Sequence, residues 1–390
     1  MQEAANFTQM QSTNAPAADE AARRWRASLP GELRQKSLLR GGLLVSVAVI
    51  GYVASMVGAA CLPTALGRAV CMAVAPWMIA ALFIIGHDAA HNSFTQYPWL
   101  NRLLGRLLLL PALHPYTSWV HAHNTLHHGG TNLRGKHPDF VPFTKAEYDR
   151  LPGWRRLLER LYRSPVGPGF SYMIGFYFGY LLFPDEERRP PQRRQFEWDR
   201  LLVAGFFVLQ IVGMYLLARH TPGLLVPPLP HAFMEVIVPW AFWVQFMGFI
   251  SFVQHTHPRL AWYDDPREWS FYHVQLKSST HVVFPFPMER IIHNAMDHAA
   301  HHLDPGIPLY HLPQSQRLLE ESCEEHAAVI RWSPWQYWEL CRVCKLYDFQ
   351  RHCWTDFEGN VTSETGLTGL AFKDAKPPET IPTAVGSLQK

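Results

Sequence analysis

Histidines are the residues most able to do chemistry here. The stretch "HNAMDHAAHH", residues 293–302, holds four of the chain's 21: His293, His298, His301 and His302. Two groups precede it. In "GHDAAHNSF", His87 and His91 stand four apart; in "HAHNTLHH", His121, His123, His127 and His128 follow closely. Residues three or four apart share a helix face. Each group therefore presents two or three imidazoles to one point: His87 with His91, His123 with His127 and His128 beside them, and His298 with His301 and His302. One such pair alone is usually ordinary packing. A pH switch needs only a few histidines beside a bistable element, and clustered imidazolium charges would repel. Neutral imidazoles on a metal avoid that repulsion. Eight are too many for one ion, since zinc takes four ligands. Eight or nine suit two ions with four or five nitrogens each. Imidazole is compatible with Zn, Cu, Fe and Ni, so spacing leaves the metal open. Asp88, Asn124, Asn294 and Asp297 are expected to stand behind the ligands and orient the rings through the far nitrogen. Helix capping is the competing role for Asp297.

The elements that must position these groups are apolar helices. Residues 42–62, 69–86, 201–218 and 236–253 carry no Asp, Glu, Lys or Arg. Each is close to the roughly 20 residues a helix needs to cross a hydrocarbon core. Short connections pair them as two hairpins, 63–68 within the first and 219–235 within the second. Basic residues gather on the other side: Arg23, Arg24, Arg26, Arg34, Lys36 and Arg40 before the first run, and Arg188, Arg189, Arg193, Arg194 and Arg200 before the third. The positive-inside rule places both termini and the histidine groups in the cytoplasm. The fold expected is an all-α integral membrane protein: four transmembrane helices in two hairpins, with a cytoplasmic cap formed by 87–200 and 254–357. The stretches 103–113 and 170–183 are too short to span and are expected to lie in the interface or under the cap. Residues 1–40 read as an N-terminal tail, disordered over the first twenty, 41–357 as one domain, and 358–390 as a mobile tail.

Composition excludes other classes. Charged residues are 17% and net charge is +3, with no basic block of the kind that binds nucleic acid. Six cysteines in a chain of 390 residues are not a secreted disulfide framework. No cleavable signal peptide is expected, because the first twenty residues lack a basic and then an apolar region. Cys341 and Cys344 form an isolated C-x-x-C, with no second pair to hold an iron–sulfur cluster.

The three groups in this order, His87-Asp-Ala-Ala-His91, His123-Asn-Thr-Leu-His127-His128 and His298-Ala-Ala-His301-His302, resemble the histidine boxes of the membrane fatty acid desaturase family. The likeness runs from about residue 40 to 357, takes in "FVQHTHP" and "HHLDPGIPLYHLP", and is nearest to bacterial acyl-lipid or acyl-CoA desaturases of Δ12 or omega-6 type. It implies two non-haem irons held by histidine, with O2 as co-substrate. It also implies one further ligand between the second and third boxes. His255 is the best match and His257 the runner-up; His121 and His293 are supporting residues.

On that reading the activity is removal of hydrogen from two neighbouring methylenes of a long acyl chain, giving C=C and water. The substrate is an acyl-lipid, acyl-CoA or acyl-ACP. Trp119, Phe252, Trp262, Trp269 and Phe284 are candidates to line its tunnel. No fused haem segment is present, so a separate donor is expected: ferredoxin, rubredoxin or cytochrome b5 with its reductase. Arg342 and Lys345, or the Arg188–Arg194 run, are candidates to meet an acidic carrier, although the run equally suits anionic membrane lipid. The location expected is a bacterial inner membrane. The rivals are a hydroxylase, acetylenase or carotenoid ketolase on the same scaffold and, more remotely, a metal transporter, which would need ionisable groups along its spans.

Overall fold

The computed structural model describes residues 18–285, 288–323 and 328–364. Helix α1 (18–28) is followed by α2 (Leu38–Cys61) and α3 (Ala65–Ala90). Next come α4 (Pro98–Leu109) and α5 (Tyr116–Val120), the latter running on into a π-helical segment, His121–His127. Helices α6 (Lys145–Arg150), α7 (Gly153–Tyr162) and α8 (Gly167–Ser171) lead to a second π-helical segment, Tyr172–Leu182. The long helices α9 (Arg193–Ala218) and α10 (Pro228–His255) follow. The rest is α11 (Phe271–Lys277), β1 (Thr280–Val283), α12 (Met288–Ile291), α13 (His298–Leu303), α14 (Leu312–Ser322), β2 (Ala328–Arg331), α15 (Pro334–Val343), β3 (Leu346–Asp348) and β4 (Cys353–Thr355). β1 pairs parallel with β2 and β3 antiparallel with β4, two small sheets that the all-α expectation lacked.

Among the described residues, α2, α3, α9 and α10 are the four helices long and apolar enough to cross a membrane. They contain the four apolar runs read from the sequence. Their outer faces stay apolar and exposed, as with Leu39, Leu43, Ile50, Leu201 and Leu209, which suits lipid as solvent. Helix α3 has 26 residues, about 39 Å at 1.5 Å per residue, against a core of about 30 Å. The surplus turns matter. α3 carries His87 beyond its apolar run, and α10 ends on His255.

The short stretches pack against this bundle. α4 exposes Trp99, Leu103 and Leu107 at every fourth position and turns Arg106 inward, where its Nε donates to Asp199 Oδ1 at 2.9 Å. The other Asp199 oxygen accepts from the Thr117 backbone N–H at 2.8 Å and from the Thr117 hydroxyl. An anion at the N-terminus of α5 complements the helix dipole, so α9 fixes the entry of the second histidine group. Gly248 does similar work on α10. A Cβ there would stand 2.6 Å from Gly169 Cα, so only glycine lets α8 lie backbone to backbone against α10.

The N-terminal tail is more ordered than expected. Residues 18–20 begin α1, and Trp25 and Leu33 are buried. Arg34 pairs with Asp304 at 2.7 Å, strapping this segment to the end of the third histidine helix. The remainder of the expected disordered tail, 1–17, lies outside the described residues. At the other end, residues 358–364 fold back: Thr362 N–H donates to Trp354 O and Val361 bridges Thr355. Residues 365–390 lie outside the described part.

Candidate metal centre

Nine histidines converge where α3, the first π-helical segment, α10 and α13 meet. They form two groups. His87, His91, His123, His128 and His301 make one; His127, His255, His298 and His302 make the other; within each, one ring nitrogen per residue lies within 4.8 Å of the rest. His255, not His257, stands with them. His257 instead accepts from the Arg259 N–H and borders a separate apolar cavity. His121 and His293 belong to neither group; His293 sits in a turn with φ 47°.

The grouping differs from one box, one point, and local geometry explains it. The second box is wound as a π-helix, with His128 N–H donating to His123 O five residues back. The wider turn brings His123 and His128 together edge to face, with Nε2 atoms 3.1 Å apart, while the His127 Nε2 joins the other group. α13 splits likewise. His298 and His302, four apart, share a face, while His301 points to His128 with Nε2 atoms 3.2 Å apart. Single-turn π distortions recur at functional sites.

The donor set fits metal ions. Gln275 Nε2 donates to His128 O at 2.7 Å, which fixes its amide so that Oε1 accepts from His302 Nδ1 at 2.5 Å. His255 Nδ1 donates to Ser278 O at 3.0 Å. Both rings therefore carry their proton on Nδ1 and turn a bare Nε2 inward. There His302 Nε2 meets His127 Nε2 at 3.1 Å, and His255 Nε2 meets His298 Nε2 at 2.8 Å. In the other group, His87 Nδ1, His91 Nε2, His128 Nδ1 and His301 Nδ1 are buried without a partner. Ring nitrogens gathered in pairs at 2.8–3.1 Å, with orphaned ring nitrogens in the same cluster, suit a shared cation.

Burial, and next the neighbouring imidazoles, hold His123, His127, His128, His298 and His302 far below the usual histidine pKa; for His301 the neighbour is His91. The folded rings are neutral where unfolded ones take up protons, so the unfolded state binds more protons as pH falls through about 6.5. Metal-free protein in detergent is expected to melt at lower temperature at pH 5.5 than at pH 7.5. A melting temperature flat across that window would contradict neutral burial.

None of the four residues expected to orient the ligands bonds a candidate ring. Asp88 accepts from the Leu309 N–H at 2.7 Å and stands 3.9 Å from His87 Nδ1, beyond hydrogen-bond reach. Asn124 donates to Ala90 O, and Asn294 to Leu309 O. Asp297 faces His281 at 3.4 Å and makes no capping bond. These side chains tie the elements that bear the boxes, because short side chains next to a ligand reach neighbouring backbone before a ring. The orienting groups come instead from Gln275, Ser278 and Thr131 in other segments. No spacing relative to the histidines marks them. The sequence also passed over His137 and Asp139, 3.0 Å apart and within 4.8 Å of a His127 nitrogen.

A cavity opens from the cluster. Its walls are Phe83 and Ile84 of α3, Trp119 of α5, Tyr172 and Phe176 of the second π segment, and Met247 of α10, among others. Of the five tunnel candidates only Trp119 lines it. Phe252 is wholly buried against Phe140, and Trp262, Trp269 and Phe284 lie elsewhere. Near Trp119 and Phe83, His114 Nδ1 donates to Ala112 O and its Nε2 accepts from the Tyr172 hydroxyl at 2.9 Å, so the buried polar pair in this apolar wall is satisfied.

Beside this cluster and cavity stands the match of residues 63–334 to the fatty acid desaturase family. The chain belongs to the fatty acid desaturase family. As a fatty acyl desaturase it is an oxidoreductase of lipid metabolism. It is 25% identical to the sn-1 oleoyl-lipid 12-desaturase of Picosynechococcus sp. over 72% of this chain and 80% of that one. It is 26% identical to the chloroplastic omega-6 fatty acid desaturase of Spinacia oleracea over 74% of this chain, spanning 61% of the plant protein. A third relative, at 25% over 68% of this chain and 71% of its own length, is the sn-1 acyl-lipid omega-3 desaturase (ferredoxin) of a Nostoc species.

Proposed function

We propose that this desaturase acts on acyl-lipid in the membrane, with two irons in the two histidine groups and O2 as oxidant, and that it places the new double bond at the 12 position of an oleoyl-type chain. The observation that carries the two-metal reading is the split of nine imidazoles into groups of five and four beside a cavity with apolar walls; acyl-lipid and the 12 position are supported by the likeness to an oleoyl-lipid 12-desaturase. The balance is –CH2–CH2– + O2 + 2 H⁺ + 2 e⁻ → –CH=CH– + 2 H2O. Bound iron supplies the oxidising power toward a C–H bond that no side chain provides. His87, His91, His123, His128 and His301 would hold one ion, and His127, His255, His298 and His302 the other. Ser278 O and Gln275 keep two of these rings in the metal-facing tautomer.

The cavity does the rest. Phe83, Ile84, Phe176, Met247 and their neighbours bind the chain, worth about 0.8 kcal/mol per buried CH2. By surrounding it they exclude water from the reacting carbons. Trp119 spans cluster and cavity: its ring stacks on His123 at 4.5 Å and meets Phe83 edge-on at 5.5 Å. It would set where along the chain the metals act. The basic flanks before α2 and α9 would face the cytoplasm, placing both termini and the cap there, in a bacterial inner membrane. A ferredoxin with its reductase would deliver the electrons.

Expression in a host that makes oleoyl lipids but no polyunsaturated ones tests this directly. Double-bond mapping of the extracted acyl chains by gas chromatography and mass spectrometry is expected to reveal a 9,12-diene. A hydroxylated, acetylenic or ketone product would overturn the desaturase outcome, and a diene at another position would overturn only the 12 assignment.

A further inference from the structure

The two histidine groups are unequal, five rings in one and four in the other. Beside the smaller group stands a carboxylate. One oxygen of Asp139 and one ring nitrogen each of His137 and His127 lie within 4.8 Å of one another, and His127 is a member of the group of four. The Asp139 side chain is only 8% exposed, and it lines the same cavity as His127 and His298.

Its position is fixed from three sides. The Ser251 hydroxyl donates to Asp139 Oδ2 at 3.1 Å. Ser251 stands one helical turn before His255 on α10, so it shares the face that carries His255. His137 holds the other oxygen, with its Nε2 3.0 Å from Asp139 Oδ1. The next residue, Phe140, has φ 52° and packs its ring against Phe252 of α10 at 5.4 Å between centroids. A left-handed backbone at a bulky residue is rare and persists only where its surroundings enforce it.

Hydrogen bonding separates His137 from Asp139 as a donor to metal. The Asn132 backbone N–H donates to His137 Nδ1 at 2.9 Å, and Asn132 Nδ2 donates to His255 O at 3.2 Å. His137 Nδ1 is thereby an acceptor, and the ring's proton sits on Nε2, where it is donated to Asp139. That ring has no lone pair left to offer. Asp139 differs. Each of its oxygens accepts one hydrogen bond from an uncharged donor and keeps a lone pair. A buried carboxylate held by neutral donors still calls for a cation.

We infer that Asp139, through a carboxylate oxygen, is the fifth ligand to the ion in the four-histidine group, and that His137 and Ser251 orient it. Each ion then has five protein ligands, one set all imidazole and the other mixed. Ligating carboxylates are themselves hydrogen-bonded, as Asp139 is, and iron accepts imidazole together with carboxylate. An anionic ligand favours the higher charge on the ion it touches, so the two ions become electronically distinct. This rests on the two-metal reading proposed above and adds one ligand to its nine histidines.

The test loads the full chain in detergent with isotopically enriched Fe(II) under anaerobic conditions, with no substrate and no electron donor. Iron per chain, the Mössbauer doublets and the release of iron to a competing chelator are measured. Asp139→Asn keeps the side chain's size and an oxygen for His137 to donate to, but removes the charge. It is expected to release one of the two ions at least about tenfold faster, with that ion's doublet altered and the other ion's doublet and release unchanged. Ser251→Ala, which leaves the carboxylate and removes one of its donors, is expected to speed release of the same ion severalfold. Unchanged doublets and release in Asp139→Asn would overturn the inference. So would equal loss of both ions together with a lower melting temperature of the metal-free variant, which would mark a structural role. If the unsubstituted protein itself holds only one iron, the two-metal reading fails and this inference falls with it.

Discussion

His301→Ala is expected to abolish double-bond formation and to lower the metal bound per chain. His301 completes the group of five: its Nε2 is 3.2 Å from His128 Nε2, and its ring centroid is 4.6 Å from that of His87 and 4.9 Å from that of His91. Its Nδ1 is buried without a partner, and its other nitrogen meets another ligand candidate, His128. Alanine removes one donor and leaves four others aimed at a point they close less well. Loss of an outer orienting group typically costs 10–100-fold in metal affinity or activity; loss of a ligand is expected to exceed about 100-fold. Elemental analysis and product mapping on the same preparation check this. His121→Ala, two residues before the second box's first ligand candidate and outside both groups, is the control and should keep metal and activity. Full metal content and full activity in His301→Ala would remove it from the site.

Gln275→Leu is expected to weaken metal binding by about 10–100-fold, as for other groups behind a ligand. The leucine keeps the volume and loses both polar contacts. Gln275 Nε2 no longer reaches His128 O, and Oε1 no longer holds the proton of His302 on Nδ1. His302 is then free to adopt the other tautomer, with a proton where the metal should be. The substitution also strands the buried His128 carbonyl, at about 1–3 kcal/mol; the Thr131 hydroxyl keeps His127 O. Gln275→Glu retains an acceptor toward His302 and should recover part of the affinity, which distinguishes tautomer control from packing. Dissociation of metal to a competing chelator reads the effect. Equal chelator kinetics in Gln275→Leu and the unsubstituted protein would refute the role.

Much of the fold was legible because its rules are one-dimensional. Runs such as 69–86 and 236–253 are uncharged and span-length, and four of them together favour membrane spans over buried helices of a soluble core. Arg106 and Pro111 marked 103–113 as something other than a span, and α4 is a 12-residue helix with Arg106 turned toward Asp199. The tails were less legible. Residues 1–40 read as a tail, disordered over the first twenty, yet Trp25 and Leu33 are buried and Arg34 reaches Asp304, a partner 270 residues away.

By itself, the sequence determined that three histidine groups exist, that helical spacing presents them as clusters, and that the apolar runs gather them on one side; the further partner, His255 or His257, came from the family resemblance. Helix periodicity and hydropathy act over a few residues, so they are written locally. Tertiary structure decided how the nine rings divide. The π turn at His123–His128 depends on α5 being held by Asp199 of α9, and the split of His301 from His298 and His302 depends on where α13 docks. It decided as well that Asp88, Asn124, Asn294 and Asp297 hold backbone while Gln275 and Ser278 hold rings. Those choices follow from which surfaces meet at distances of 2.5–3.2 Å between residues far apart in the chain. No local pattern encodes such meetings.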